Sequence, residues 1–296
     1  SLQLFNEHCE HIFKDINLSS CYVKGEVCAL KKVDDFWKVS MNNKECFSAK
    51  KIVIAIGISN QLFWPEWAKQ LKIISQDSIY HIFDNDIPDV NSINGPISII
   101  GGGITAAHFA IKAAEMHKEV TLIKRHSFRI YDFDSDPVWL GPKGQLPFRK
   151  ISDYQVRRNI IKAARHRGSI PKDIYMKVKR LQEDKNIRVI KDEIVASSLL
   201  EDKKILLQGT SKSSLISSTI ILATGFEQTL PGKNWLQPLI QEEKLPCSTC
   251  GYPIVNKMLE WGPNLFVSGA LAELEVGPIA RNISGARVAA SIISAT

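Results

Sequence analysis

Apolar and polar positions along this chain follow two rhythms, and the changes of rhythm divide it into elements. Leu4 to Ile16 carries Phe5, Cys9, Ile12 and Ile16 at helical spacing, which predicts an amphipathic helix. Short β-type stretches follow at Cys21 to Leu30, Phe36 to Met41 and Cys46 to Phe47. Turn chemistry parts them at Val33-Asp34-Asp35 and Asn42-Asn43-Lys44, so a β-meander is expected. Lys51-Ile-Val-Ile-Ala-Ile-Gly57 then reads as a buried strand closed by glycine. From Gln61 to Pro96, with Pro65, Pro88, Asn94, Gly95 and Pro96, the chain reads as loop.

A βαβ pattern starts directly afterwards. Ile97 to Ile100 predicts a strand, Ile104 to His117 a helix and Val120 to Ile123 a second strand. Beyond a stretch rich in Asp, Pro and Gly, helices are expected over Asp153 to Arg167 and Lys172 to Glu183, the second with Pro171 near its start. Strands follow at Ile187 to Ile190, Lys204 to Gln208 and Ser218 to Gly225. An irregular segment leads to a strand at Leu265 to Ser268 and a terminal helix from about Pro278 to Ser294.

Ile97-Ser-Ile-Ile-Gly-Gly-Gly-Ile-Thr-Ala106 fits G-x-G-x-x-G/A, with Gly101, Gly103 and Ala106 in the three key places. Gly101 permits the tight turn, Gly103 admits a pyrophosphate to the backbone, and Ala106 lets helix pack on strand. The backbone of Gly102, Ile104 and Thr105 belongs to the same cradle, at a helix N-terminus that favours anions. The second strand ends Lys124-Arg125-His126, where an NAD site would hold an acid on the ribose 2′-hydroxyl. A basic end suits the 2′-phosphate of NADP, with Arg125 the better candidate and Lys124 second. The runs Ile-Val-Ile-Ala-Ile-Gly57 and Ile-Ile-Leu-Ala-Thr-Gly225 echo each other, each as the last strand of a nucleotide-binding domain.

Composition sets bounds. The 296 residues are 44% hydrophobic and 23% charged, which is enough for two domains with their own cores. A net charge of +7 suits dinucleotide phosphates. No basic run is interleaved with aromatics, so nucleic acid is not expected as a partner. No stretch approaches the roughly 18 apolar residues of a membrane span, so no membrane is expected either. The six cysteines lie at 9, 21, 28, 46, 247 and 250, and without a secretory context they read as reduced thiols of a cytoplasmic protein. Cys247-Ser-Thr-Cys250 reads first as an inert pair in an exposed turn flanked by Pro246 and Gly251-Tyr-Pro253. A redox dithiol is the alternative, and a metal pair the third reading. His81, His108 and His126 are isolated, and the acidic loop Asp132-Phe-Asp-Ser-Asp136 reads as solvated before it reads as a cation ligand. No metal site is expected.

Together these features resemble the two-dinucleotide-binding-domain flavoproteins, most closely the class B flavin monooxygenases and the lysine and ornithine N-hydroxylases. The resemblance covers essentially the whole chain. Its most specific piece is Leu222-Ala-Thr-Gly-Phe226, four residues, then Pro231, which resembles the L-A-T-G-[YF]-x4-[HP] signature of the N-hydroxylases. Ser218 stands where that signature carries Asp. The F-x-G-x3-H motif of class B monooxygenases is absent, and the loop with Tyr80 and His81 occupies its place. The first glycine motif of the FAD domain is also absent before the Leu4 helix, so the chain reads as a fragment or separately encoded half. A missing N-terminal segment or a second chain is expected to complete that domain.

The resemblance implies an α/β fold, with a Rossmann-type NAD(P)-binding domain inserted in a truncated FAD-binding domain that bears a β-meander. The divisions expected are 1–93 and 227–296 for the flavin side and 94–226 for NADPH. It implies FAD and NADP as cofactors, a small-molecule substrate, and hydride transfer from NADPH to flavin, with oxygenation as the finer expectation. A thiol–disulfide reductase using Cys247 and Cys250, or a non-catalytic nucleotide-binding fragment, are the alternatives. Gly57, Ala223, Thr224, Gly225, Gly269, Gly277, Pro278 and Asn282 are expected on the flavin side. There Gly277-Pro278 would open the helix that faces the flavin, with Ser268 in the place of a ribityl-binding Asp. No catalytic acid or base is singled out.

Overall fold

The computed structural model describes residues 2–296. A first helix, α1 (Leu2–Asp15), leads to strands β1 (Val27–Val33), β2 (Phe36–Met41) and β3 (Cys46–Ala49), then to a short β4 (Ile52–Ile54). Next come α2 (Glu66–Ile74) and β5 (Ile79–His81), then β6 (Ile97–Ile100), α3 (Ile104–Glu115) and β7 (Val120–Lys124). The following stretch holds β8 (Arg129–Ile130), α4 (Pro142–Arg149), α5 (Tyr154–Ala164), β9 (Ser169–Ile170), α6 (Lys172–Glu183) and β10 (Ile187–Lys191). The chain continues through β11 (Ile194–Leu199), β12 (Ile205–Gly209), β13 (Ser214–Ser217) and β14 (Thr219–Leu222). It closes with α7 (Lys233–Glu242), β15 (Glu260–Gly262), β16 (Leu265–Val267), α8 (Glu273–Val276) and α9 (Ile283–Ile293).

The central sheet runs β10-β7-β6-β14-β5, every pair parallel. Its strands are apolar on both faces because both faces are covered. On one side Ile97, Ile99, Leu122 and Ile221 meet Ala106, Ala107 and Ala110 of α3 and Val178 of α6. On the other, Ile79, Ile123, Ile220 and Leu222 meet Trp67, Ala68 and Leu71 of α2 and the inner residues of the β11-β12-β13 meander. The alanines of α3 let helix and strand approach closely, and Ala106, Ala107 and Ala110 are fully buried. A second core joins Trp37 of the first meander to Ile54, Leu236, Trp261, Leu265, Val267 and Leu271. Its sheet is β15-β16-β4, with β16 and β4 parallel. Among the described residues β4 has one strand neighbour, and Val53 on it is exposed.

The βαβ unit lies where the apolar pattern puts it, because its signal is local. Other expectations change. The segment 61–96 is not loop. It holds α2, where Trp67, Ala68 and Leu71 make a buried helical stripe, and β5, which takes an edge of the central sheet upstream of Asn94. The strand expected at 51–57 is three residues long, and the β1 pairing starts at Val27 rather than Cys21. The irregular stretch after Pro231 contains α7, with Leu236 and Leu239 buried. The terminal helix begins at Ile283, not Pro278. Asn282 caps it by accepting from the Gly285 amide at 2.9 Å, while Gly277 to Ala280 forms a buried turn.

The meander β11–β13 is fastened to the central sheet through Asp192, whose amide donates to the Lys124 carbonyl at 3.0 Å. Its carboxylate accepts from the Thr210 hydroxyl at 2.7 Å, the Ser211 amide, and the hydroxyls of Ser211 and Ser213. Those hydroxyl donors hold the carboxyl well below the usual carboxylate range. An Asn side chain cannot accept in all these directions, so Asp192→Asn should lower the Tm at pH 7. A depressed pKa stabilises above the unfolded value of about 3.9 and loses that contribution as pH falls through the folded value. The Tm gap between the two proteins should therefore close as pH drops below about 4. A gap of constant size from pH 7 to pH 3 would remove the carboxylate from this role.

Candidate dinucleotide-binding site

The turn after β6 is a backbone cradle. Gly101 donates its amide to the Ile123 carbonyl at 2.9 Å, and a Cβ placed on it would lie 2.4 Å from the Ala223 carbonyl oxygen. Its φ of +153° adds to the same requirement. Glycine is thus what lets β6 and β14 meet at their C-terminal ends. Gly103 is the N-cap of α3 in extended conformation, with no side chain capping the helix. The first-turn N–H groups of Ile104, Thr105 and Ala106 are left to an anion. Gly102 lies against Lys124, whose Cβ is 3.2 Å from the Cβ position of the glycine.

The two basic residues at the end of β7 point in different directions. Lys124 is buried, its ammonium donating to the His126 carbonyl at 3.2 Å and lying 4.5 Å from the centre of the Phe128 ring. Burial pushes its pKa down, and Lys191 adds to the shift. Arg125 is exposed and meets only Glu193, at 3.4 Å. An exposed pair of this kind contributes roughly 0–1 kcal/mol, so the guanidinium is free to turn to a phosphate.

A feature absent from the sequence reading closes the other side of the cradle. The loop from Arg165 to Gly168 comes so near that a Cβ on Gly103 would sit 3.2 Å from Gly168 Cα. Behind it, the Tyr131 ring stacks on His166 at 3.7 Å. Arg165 donates to Asp134 at 3.1 Å, and burial together with Arg281 lowers its pKa. Arg167 shifts the same way, through burial and then Arg165. Positive charge is therefore in excess here. The acidic loop is spent locally: Asp134 on Arg165, and Asp136 as the cap that accepts from the Val138 amide.

In the second core β4 and β16 end together, at Ile54 and Val267, and beyond them the Cβ position of Gly269 is 3.9 Å from the Ile56 carbonyl oxygen. The chain then forms α8 and the buried Gly277-Pro278 turn. With Pro278 in that turn, the helix N-terminus on this side is at Asn282, capped by its own side chain. Ala223, Thr224 and Gly225 lie at the crossing between the two cores. The Ala223 amide bonds the Ile100 carbonyl at 2.8 Å, Thr224 donates its hydroxyl to the Phe63 carbonyl, and the Phe63 amide donates to Gly225 at 2.9 Å. Beside this crossing His81 is fully buried near Trp64 and Phe83, and burial pushes its pKa down.

The largest group missed by the sequence reading ties α5 to α8. Glu273 of α8, 1% exposed, accepts from Arg158 of α5 and from Arg281 at 2.6 and 2.9 Å. Arg281 also donates to the Tyr252 hydroxyl at 3.1 Å. The neighbouring Arg157 bonds Glu275 and the carbonyls of Leu274 and Ile151. The signal in the sequence was the doublet Arg157-Arg158 on an otherwise amphipathic helix. The cysteine pair is also more than an exposed turn: both thiols are half-buried, and Arg158 donates to Cys250 Sγ.

The fold, with its glycine turn, is that of FAD/NAD(P)-binding oxidoreductases of known structure. The sequence profile of the pyridine nucleotide-disulphide oxidoreductase family matches residues 8–136. Among solved structures, an ornithine hydroxylase from Pseudomonas aeruginosa superposes with a TM-score of 0.74 at 16% identity, over 99% of this chain and 74% of its own. An ornithine N-hydroxylase from Kutzneria sp. 744, solved with reduced FAD, NADP+ and L-ornithine, gives 0.67 at 14% identity over 92% and 70%. A bacillithiol disulfide reductase from Bacillus cereus gives 0.64 at 13% over 98% and 76%. At these identities the likeness is one of fold. A curated relative, an uncharacterized CzcO-like oxidoreductase from Geobacillus kaustophilus, is 25% identical over 114 residues, 38% of this chain and 31% of its own length. The chain thus matches about a third of that relative.

Gly101→Ala tests the cradle directly. The added methyl group must push β6 from β14 at the Ala223 carbonyl, so we expect lost NADPH binding together with a lower Tm. Unchanged NADPH titration in that variant would place the nucleotide elsewhere.

Proposed function

We propose that this chain is an NADPH-binding, FAD-dependent oxidoreductase of the monooxygenase kind. The observation that carries this reading is the close approach of Gly101 to Ala223 beside an uncapped helix N-terminus, with a free guanidinium, Arg125, at the end of the next strand. In this reading Gly101 to Ala106 cradle the NADP pyrophosphate and Arg125 takes the 2′-phosphate. Lys124 shapes the strand end from within, and Arg165 and Arg167 add positive charge from the second side. Gly57, Ala223 to Gly225, Gly269 and the turn from Gly277 to Asn282 line the place for the flavin. When bound, NADPH and FAD supply the chemistry, a hydride passed from nicotinamide to flavin. The protein's part is to bind, orient and exclude water. The hydroxylases that share the fold favour oxygen as the final acceptor.

Arg125→Ala should weaken NADPH binding by roughly 1–3 kcal/mol, the size of a lost charge-assisted hydrogen bond, and leave NADH unchanged. Isothermal titration with both nucleotides measures it. Equal affinity of the unmodified protein for NADPH and NADH would refute the 2′-phosphate assignment.

The flavin half generates a second expectation. The sequence holds one strand–glycine turn–helix cradle, at residue 101, and β4 has a single strand neighbour among the described residues. A strand–turn–helix unit pairing along the open edge of β4, from another segment or a second chain, would supply the FAD pyrophosphate site. These 296 residues alone should therefore bind NADPH well and FAD poorly. Stoichiometric, tight FAD binding in a fluorescence titration of this chain alone would locate a complete flavin site within it.

A further inference from the structure

The hairpin that carries the cysteine pair is folded around one sulfur. The Ser248 amide donates to the Tyr252 carbonyl at 2.9 Å and the Gly251 amide to Ser248 at 2.8 Å, which turns Cys250 inward toward α5. Its Sγ lies 2.9 Å from the Ser248 hydroxyl and 3.2 Å from Nε of Arg158. Arg158 is 5% exposed, with its guanidinium 3.9 Å from the centre of the Tyr252 ring. Its Nη1 is taken by Glu273, but its Nη2 is buried and has no hydrogen-bond partner. In a planar guanidinium the Nε–H and one Nη2–H run side by side from the same edge. The edge that holds the sulfur thus offers a second, unused donor next to it.

We propose that Cys250 is a reactive thiolate that hydrogen peroxide oxidises to a sulfenic acid, with Arg158 Nη2 receiving the new oxygen. The Cys250 thiolate attacks one peroxide oxygen, a sulfur–oxygen bond forms, and the O–O bond breaks. Sulfur loses two electrons, and the departing hydroxide takes a proton from solvent as water. The surroundings support the anionic form. Burial alone raises the thiol pKa, but the Ser248 hydroxyl, the Tyr252 backbone N–H and Arg158 together carry it below its usual value. The titratable groups around it are Cys247 and Tyr252 on its own hairpin, Arg158 from α5, and Glu273 and Arg281, which reach it through Arg158. Cys247 differs: burial and then Cys250 raise its pKa, so it stays a thiol at neutral pH. No nucleotide is needed for any of this.

Trypsin frees Leu245 to Lys257 as one peptide that holds both cysteines apart from the other four. The chain, treated at pH 6.5 with equimolar hydrogen peroxide and dimedone, should label Cys250 about tenfold faster than the exposed Cys21, Cys28 and Cys46, as a low-pKa thiolate requires. A disulfide between Cys247 and Cys250 counts as the same oxidation, and Cys247→Ser should then leave the sulfenic acid to be trapped. Arg158→Met should cut labelling to the rate of the exposed cysteines. Where that variant melts early, Ser248→Ala should lower the rate in a folded protein. Iodoacetamide alkylation from pH 5.5 to 9 should show Cys250 half-reacted at lower pH than the exposed thiols. Labelling of Cys250 no faster than theirs, or rates that ignore both Arg158→Met and Ser248→Ala, would overturn the proposal.

Discussion

One buried carboxylate ties α5 to α8 and to the turn before α9. Glu273 lies at 1% exposure between Arg158 of α5 and Arg281, just before α9. Removing a partner from such a pair costs about 3–5 kcal/mol, although a well-packed apolar substitute for the whole group can be neutral. The network therefore acts through geometry more than through net stability. It admits one docking of α5 on α8, and the rest of the site follows from that docking. The Arg165–Gly168 loop continues directly from α5, so its approach to Gly103 is fixed by the same contact. Cys250 is fixed by it too, through the second face of Arg158.

One link between the cores is backbone. Residues 61–63 and 223–227 cross side by side, bonded from Phe63 to Gly225 and from Glu227 to Gln61. Phe83 stacks on Phe226 at 5.2 Å and the buried His81 lies behind it. A two-stranded crossing of this kind resists twisting but permits bending. The ion network reaches it through Tyr252, whose hydroxyl donates to the Thr229 carbonyl at 3.1 Å, beside the Gln61 side-chain amide bonded to the Thr229 hydroxyl.

What was legible in the sequence was what the chain decides locally. Ile97 to Lys124 was readable because strand, glycine turn and helix sit next to one another, each with its own pattern. The α2 helix was hidden by Pro65 and by a short apolar stripe, although Pro65 stands at its N-cap. The three residues of β5 gave no periodic signal, and only pairing with β14 makes them a strand. Pro278 misled because proline near a helix start is a common device, yet here the capping side chain is Asn282. Arg125 ranked above Lys124 in the sequence on guanidinium geometry alone. Burial separates them, and burial belongs to the fold.

The basic excess of the chain takes on meaning only in the folded arrangement. Arg157 is consumed by Glu275, and Arg281 by Glu273 and Tyr252, while Arg158 gives Nη1 to Glu273 and its other edge to Cys250. Their partners lie away from the Gly101 turn. Arg125, in contrast, has one weak partner, and Arg165 and Arg167 repel each other and Arg281. Exposed or weakly paired positive charge thus lies near the Gly101–Gly103 turn, where the helix dipole adds the same sign. A dinucleotide carries phosphate at its centre and, in NADP, at the adenosine ribose. In the proposed reading the glycine turn takes the first and Arg125 the second, so net charge and glycine turn serve a single ligand.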